Sequence, residues 1–139
     1  MTYTKAFVIL ATMDAELPRP TDAELAILRV LWERGAATVR QVHEVLAEAR
    51  DTGYTTTLKL MQIMAEKGLV TRDESARTHV YAARLTRDET QQQLVSDLLD
   101  RAFGGSAAAL VLQALSAGET SPEELKQIRE LIDRYRGGK

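Results

Sequence analysis

Residues 54–68 read Tyr-Thr-Thr-Thr-Leu-Lys-Leu-Met-Gln-Ile-Met-Ala-Glu-Lys-Gly. Set at about 100° per residue, as in a helix, Thr57, Met61, Met64 and Gly68 share one face. Thr55, Lys59, Gln62 and Glu66 fall opposite, with Thr56 and Ile63 on one flank and Leu58 on the other. Hydroxyl, ammonium and amide groups suit phosphate oxygens and base edges, and an exposed methyl-bearing side chain suits the thymine methyl. Thr55, Thr56, Lys59 and Gln62 are therefore candidate DNA contacts. Threonines at a helix start also serve as caps, and that reading stays open here. Arg72 and Arg77 flank a polar tip, with Lys59 and Lys67 close in sequence. An arginine on such a tip can enter the minor groove or hold a phosphate. Asp73 and Glu74 partly offset that charge.

Catalytic chemistry finds little material. His43 and His79 are the two histidines, and there is no cysteine. That removes disulfides, thiolate metal sites and cysteine nucleophiles together. His43-Glu44 opens like a zinc-protease motif, but position 47 is Ala where the second histidine belongs. Gly104-Gly105-Ser106 has neither the preceding strand nor the lysine of a phosphate loop. No nucleophile and base form a pair, so an enzyme is not expected, nor a metal or a cofactor.

The elements that must carry these residues are legible from caps and periods. Pro18 and Pro20 precede Thr21-x-x-Glu24, a capping box ahead of Leu25, Leu28, Leu31 and Trp32 at helical spacing. Gly35 ends that helix. Thr38-x-x-Gln41 opens a second, short helix with Val39, Val42, Val45 and Leu46 inward, running out near Arg50–Gly53. A third covers about Thr55 to Lys67 and stops at Gly68. The period then changes: 69–72 and 78–82 alternate as strands, with 73–77 as their polar connection. Three short helices and a hairpin follow the order of a winged helix-turn-helix. A generic small α+β domain has the same order.

The second half is helical. Thr86-x-x-Glu89 caps a helix carrying Leu94, Val95, Leu98, Leu99 and Phe103. Gly104-Gly105 breaks it, and Ser106 caps the run 107–115. Ser121-Pro122-Glu123-Glu124 supplies a cap, a proline at the first helical position and acid in the first turn. Leu125, Ile128, Leu131, Ile132 and Tyr135 then form one stripe. The middle helix is apolar on nearly every side and so requires neighbours all round. Three such helices bury too little surface alone. The reading is a homodimerisation module built on Leu98, Leu99, Phe103, Leu110, Val111, Leu112, Leu115, Ile128, Leu131 and Ile132. A monomeric bundle packed back on the first half is the alternative.

The chain of 139 residues therefore divides into an N-terminal extension (1–18), a winged-helix domain (19–84) and a three-helix module (85–139). The formal net charge is −2, and the winged-helix segment holds ten basic against nine acidic residues. That balance excludes a bulk nucleic-acid coat and leaves a one-faced binder open. No segment spans a bilayer: the apolar run Ala6–Met13 is short against the roughly 20 residues required. Asp14 and Glu16 follow it at once, unlike a secretory signal. Met13 is a second candidate start, and 6–13 is otherwise a short packed element.

These residues in this order resemble the penicillinase-repressor and methicillin-resistance-repressor (BlaI/MecI) family of bacterial transcription regulators. The resemblance runs from about Thr21 to Leu131. It is carried by Glu24-Leu25-Ala26-Ile27-Leu28-Arg29-Val30-Leu31-Trp32, Tyr54-Thr55-Thr56-Thr57, Lys67-Gly68-Leu69-Val70, Arg77-Thr78-His79-Val80-Tyr81 and Asp100-Arg101-Ala102-Phe103-Gly104-Gly105-Ser106. It implies a cytoplasmic homodimer that binds double-stranded, dyad-symmetric operators and blocks transcription. Thr55, Thr56, Lys59 and Gln62 would lie in the major groove and Arg77 on the wing. In the best-known members a membrane metalloprotease sensor triggers cleavage in the dimerisation half when β-lactam is present. The corresponding bond here is Ala102–Phe103, with Ala102 where those members carry Asn. Ile63 stands where many relatives carry a basic residue, and the cysteine pairs of a copper-responsive branch are lacking. The competing function is a winged-helix protein-interaction adaptor without DNA activity, which the near-neutral first half also fits.

Overall fold

The computed structural model describes residues 19–137. The extension 1–18, with the run Ala6–Met13, lies outside the described residues. Six helices and one hairpin follow in order: α1 (Asp22–Arg34), α2 (Val39–Ala49), α3 (Tyr54–Lys67), β1 (Val70–Asp73), β2 (Val80–Ala83), α4 (Arg87–Ala102), α5 (Ala107–Ala117) and α6 (Pro122–Gly137). The chain divides into two compact units, the first up to Leu94 and the second from Val95, so the division falls within α4.

In the first unit each helix starts where its cap says it should. The Thr21 hydroxyl accepts from the Glu24 amide at 3.2 Å while Glu24 Oε1 accepts from the Thr21 amide at 2.9 Å. Thr38 and Gln41 repeat the box on α2 with the same two distances. Each box satisfies amide donors that a helix start otherwise leaves open. Ile27, Leu28 and Leu31 of α1 meet Val42 and Leu46 of α2, Met61 and Met64 of α3, and Leu69, Val70 and Tyr81 of the hairpin in one core.

Two inward faces differ from the sequence reading. On α1, Ile27 and Val30 are buried, whereas Leu25 and Trp32 are half-buried. On α2, Val45 is exposed rather than inward. Val39, Val42 and Leu46 already fill the core-facing stripe, and Val45 stands about 100° round the helix from Leu46.

The hairpin is displaced by a residue or two from the expected strands. Its antiparallel register pairs Val70 with Ala83, Thr71 with Ala82, Arg72 with Tyr81 and Asp73 with Val80. Leu69 is excluded because its amide still donates to the Met64 carbonyl at 2.9 Å, closing the end of α3. Gly68 makes that closure at φ 86°, where a Cβ would be strained and would sit 3.4 Å from Arg84 Nη1. At the other end, Asp73 accepts from the Ser75 amide at 2.9 Å and turns the chain. A third edge appears at Ala37, which exchanges two backbone bonds with Tyr81, at 2.9 and 2.8 Å. A single bridging residue has no period to read.

In the second unit, Gly104 and Gly105 both adopt positive φ (56° and 83°), and the Gly105 amide reaches back to the Leu99 carbonyl at 2.8 Å. Ser106 then caps α5 through the Ala109 amide at 3.0 Å, and Ser121 caps α6 through the Glu124 amide at 3.1 Å. No described residue of this unit is buried. Leu99, Phe103, Leu110, Leu115 and Ile128 are half-buried. Leu98, Val111, Leu112, Leu131 and Ile132 are exposed, Leu112 at 60%. Among the described residues no single helix is long and apolar enough to cross a membrane; α4 and α5 reach that length only as a pair bent by 103°.

Candidate nucleic-acid interface

The third helix is anchored from behind and open in front. Met61 and Met64 are fully buried, and Thr57, equally buried, donates its hydroxyl to the Gly53 carbonyl at 3.3 Å. Thr55, Thr56, Lys59 and Gln62 are all exposed. The N-cap is Gly53, so the threonines sit in the first turn and are not the cap. Gly53 offers no side-chain cap. The first-turn amides of α3 thus keep their partial positive charge.

The basic residues of this unit sort by what they already hold. Lys67 is taken: its ammonium lies 2.7 Å from Glu24 Oε1, across the α3 end and the α1 start. Arg72 is taken too, bonding Glu74 Oε2 at 2.7 Å. Hydrogen bonding to the Tyr81 side chain, then to Glu74, raises its pKa above the ordinary arginine value. Arg84 donates to the Gly68 carbonyl at 3.0 Å. Lys59, Arg77 and Arg40 have no carboxylate partner among the described residues. Of the two hairpin arginines, Arg77 is therefore the one with a guanidinium to spare.

Beside α3 runs a groove of about 500 Å³, walled by Tyr54, Leu58 and Gln62 on the helix and by Arg77, Thr78 and His79 on the hairpin. Gln62 belongs both to this wall and to the exposed face with Thr55 and Lys59. Arg40, from the start of α2, closes one end; its guanidinium carbon lies 5.5 Å from the Tyr54 ring centroid. Neither Arg40 nor Tyr54 was a candidate from sequence. The stripe 54, 58, 62 was legible on the helix, but the approach of α2 is tertiary. His79 is exposed in the loop just ahead of β2, and no cluster of metal-ligating residues occurs among the described residues. Trp32, half-buried, donates Nε1–H to the Leu85 carbonyl at 3.0 Å and ties α1 to the segment leading into α4.

A two-helix turn presenting one exposed polar face, followed by a hairpin wing bridged to Ala37, defines a winged helix-turn-helix protein. Residues 20–134 match the family model described as penicillinase repressor. The transcriptional regulator BlaI of Mycobacterium tuberculosis is 39% identical over 116 residues, covering 81% of this chain and 84% of that protein. The penicillinase repressor of Bacillus licheniformis is 20% identical over 124 residues, covering 89% and 97%. The solution structure of the DNA-binding domain of the repressor BlaI is similar at 20% identity and a TM-score of 0.48, over 52% of this chain and 89% of that one. The chain belongs to the penicillinase-repressor family, whose members are transcriptional repressors and not enzymes.

Proposed function

We propose that this protein is a cytoplasmic homodimeric repressor that binds a dyad-symmetric operator and is released by an upstream signal. The observation that carries DNA binding is the face of α3: Thr55, Thr56, Lys59 and Gln62 are exposed together on a helix whose opposite side is locked in the core. Arg77, unpaired among the described residues, stands across the groove to hold the wing against the duplex. Phosphate contacts fix register, and the α3 side chains read base edges.

Homodimerisation is supported by the second unit, where Leu98, Val111, Leu112, Leu131 and Ile132 are exposed in the single chain and no described residue is buried. An apolar surface of this kind calls for a partner. Two linked half-sites convert weak contacts into one strong complex, and the protein dyad fixes half-site spacing at about one helical turn or a multiple. Anything that separates the module releases DNA. The family resemblance places a cleavage position at Ala102–Phe103, the end of α4, with a membrane metalloprotease sensor as the upstream partner.

Fluorescence anisotropy on duplex DNA from the region upstream of the protein's own gene, against a scrambled duplex and at two salt concentrations, tests the reading. Selective binding at two chains per site, weakening steeply with salt, is expected. Equal binding to both duplexes, or none, puts the protein-interaction adaptor ahead.

A further inference from the structure

The groove between α3 and the hairpin has a composition that the exposed face of α3 does not explain. Two guanidiniums, from Arg40 and Arg77, line it together with the Gln62 amide, the Thr78 hydroxyl and the His79 imidazole, and no acidic side chain does. Arg40 meets the ring of Tyr54, which in turn meets the edge of His43 at 5.7 Å and 85°. Neither Arg40 nor Arg77 has a carboxylate partner among the described residues, whereas Arg72 and Arg87 each face one.

An arginine resting on an aromatic ring keeps its edge N–H groups free, because stacking uses the face of the guanidinium and not its donors. The ring also narrows the side chain's conformational freedom before any ligand arrives. Such a group fits a phosphate oxygen pair, which the planar fork meets in bidentate fashion. The groove borders the exposed α3 face at Gln62, so a chain of phosphates seated in it would run beside the residues placed to meet base edges.

We propose that the groove receives one sugar-phosphate strand of the duplex, with Arg40, aligned by the Tyr54 ring, as a backbone phosphate contact on the α2 side and Arg77 on the wing side. This deepens the repressor reading and rests on it. Arg40 contributes affinity without sequence preference, and Tyr54 acts through Arg40 as a positioning residue.

The test uses full-length protein and two probes, the upstream duplex and a mixed-sequence duplex, with anisotropy across a series of salt concentrations. Arg40→Ala is expected to weaken binding to both duplexes alike, by roughly tenfold, and to lower the log–log salt slope by about 0.9, the signature of one lost phosphate contact. Arg40→Lys retains the slope. Tyr54→Phe keeps the ring and leaves binding unchanged, whereas Tyr54→Leu weakens it and leaves melting within a few degrees. Wild-type binding with an Arg40→Ala slope equal to the wild-type slope overturns the phosphate contact and leaves the repressor reading standing. A loss confined to the upstream duplex overturns it as well, because Arg40 then reads bases. Failure of the wild type to bind either duplex removes both readings.

Discussion

Glu24 and Lys67, 43 positions apart, form a 2.7 Å ion pair that joins the first turn of α1 to the last turn of α3. Glu24 is 3% exposed, and the same Oε1 accepts from the Thr21 amide, so one oxygen serves both the capping box and the tertiary contact. Both charges also sit at the favourable helix ends, the carboxylate at an N-terminus and the ammonium at a C-terminus. The pair therefore fixes the angle at which α3 leaves the core.

Lys67→Met is accordingly expected to destabilise the protein. Removing one partner of a fully buried pair costs about 3–5 kcal/mol, but the Lys67 side chain is 34% exposed and water can reach Glu24 from that side. An effect of about 2 kcal/mol in urea unfolding is therefore expected. Glu24→Gln should cost less, since an amide oxygen still caps Thr21. Equal stability of Lys67→Met and the wild type would show that the pair contributes nothing net. The DNA salt slope of Lys67→Met should match the wild type, because this lysine is committed inside the fold.

Lys59→Ala and Arg77→Ala are the complementary changes. Each should lower the log–log salt slope of operator binding by about 0.9, with melting temperature nearly unchanged. Arg72→Ala should lower the slope by less than half as much, since Glu74 already neutralises that guanidinium at 2.7 Å. A larger effect for Arg72 than for Arg77 would reverse the assignment of the wing contact.

The parts of this fold that rest on local chemistry were legible in the sequence. Thr21, Thr38 and Thr86 cap where their i+3 partners indicate, and Met61, Met64 and Thr57 turn inward on helical period. What sequence could not supply depends on contacts between elements. Val45 has the spacing of a core residue but α2 has no room for it, and Ala37 joins the sheet through one residue only. The same limit applies at the site. Thr55, Lys59 and Gln62 share a face by periodicity, whereas the commitment of Arg72 to Glu74, of Lys67 to Glu24 and of Arg40 to Tyr54 follows only from packing.

At the wing tip, the Ser75 amide hydrogen bond holds the Asp73 carboxyl below its ordinary pKa of 3.8. A depressed folded-state pKa contributes stability that is present above the unfolded value and is lost as pH falls through the folded one. The turn should therefore stay closed at neutral pH and loosen only in acid below 3.8. The Ser75 amide resonance, followed by NMR during an acid titration, should move with a midpoint under that value. Asp73→Asn should abolish the transition. A midpoint at or above the ordinary value would mean that the bond does not form in solution.

Leu112, 60% exposed at the centre of α5, tests the second unit. The helix around it, Ala-Ala-Ala-Leu-Val-Leu-Gln-Ala-Leu-Ser-Ala, offers water no charged group. Burying apolar surface against a second copy stabilises by about 25 cal/mol per Å². A carboxylate placed in that surface without a partner is strongly unfavourable. Leu112→Asp is expected to convert a dimer into monomers by size-exclusion with light scattering at micromolar concentration. Because the core of Ile27, Leu28, Met61 and Met64 lies in the other unit, the winged helix should still melt cooperatively. Operator affinity should then fall to that of a single half-site, with the salt slope roughly halved as one of two sets of phosphate contacts is lost. An intact Leu112→Asp dimer would place the self-association surface elsewhere, and a monomeric wild type would remove the dimeric repressor altogether.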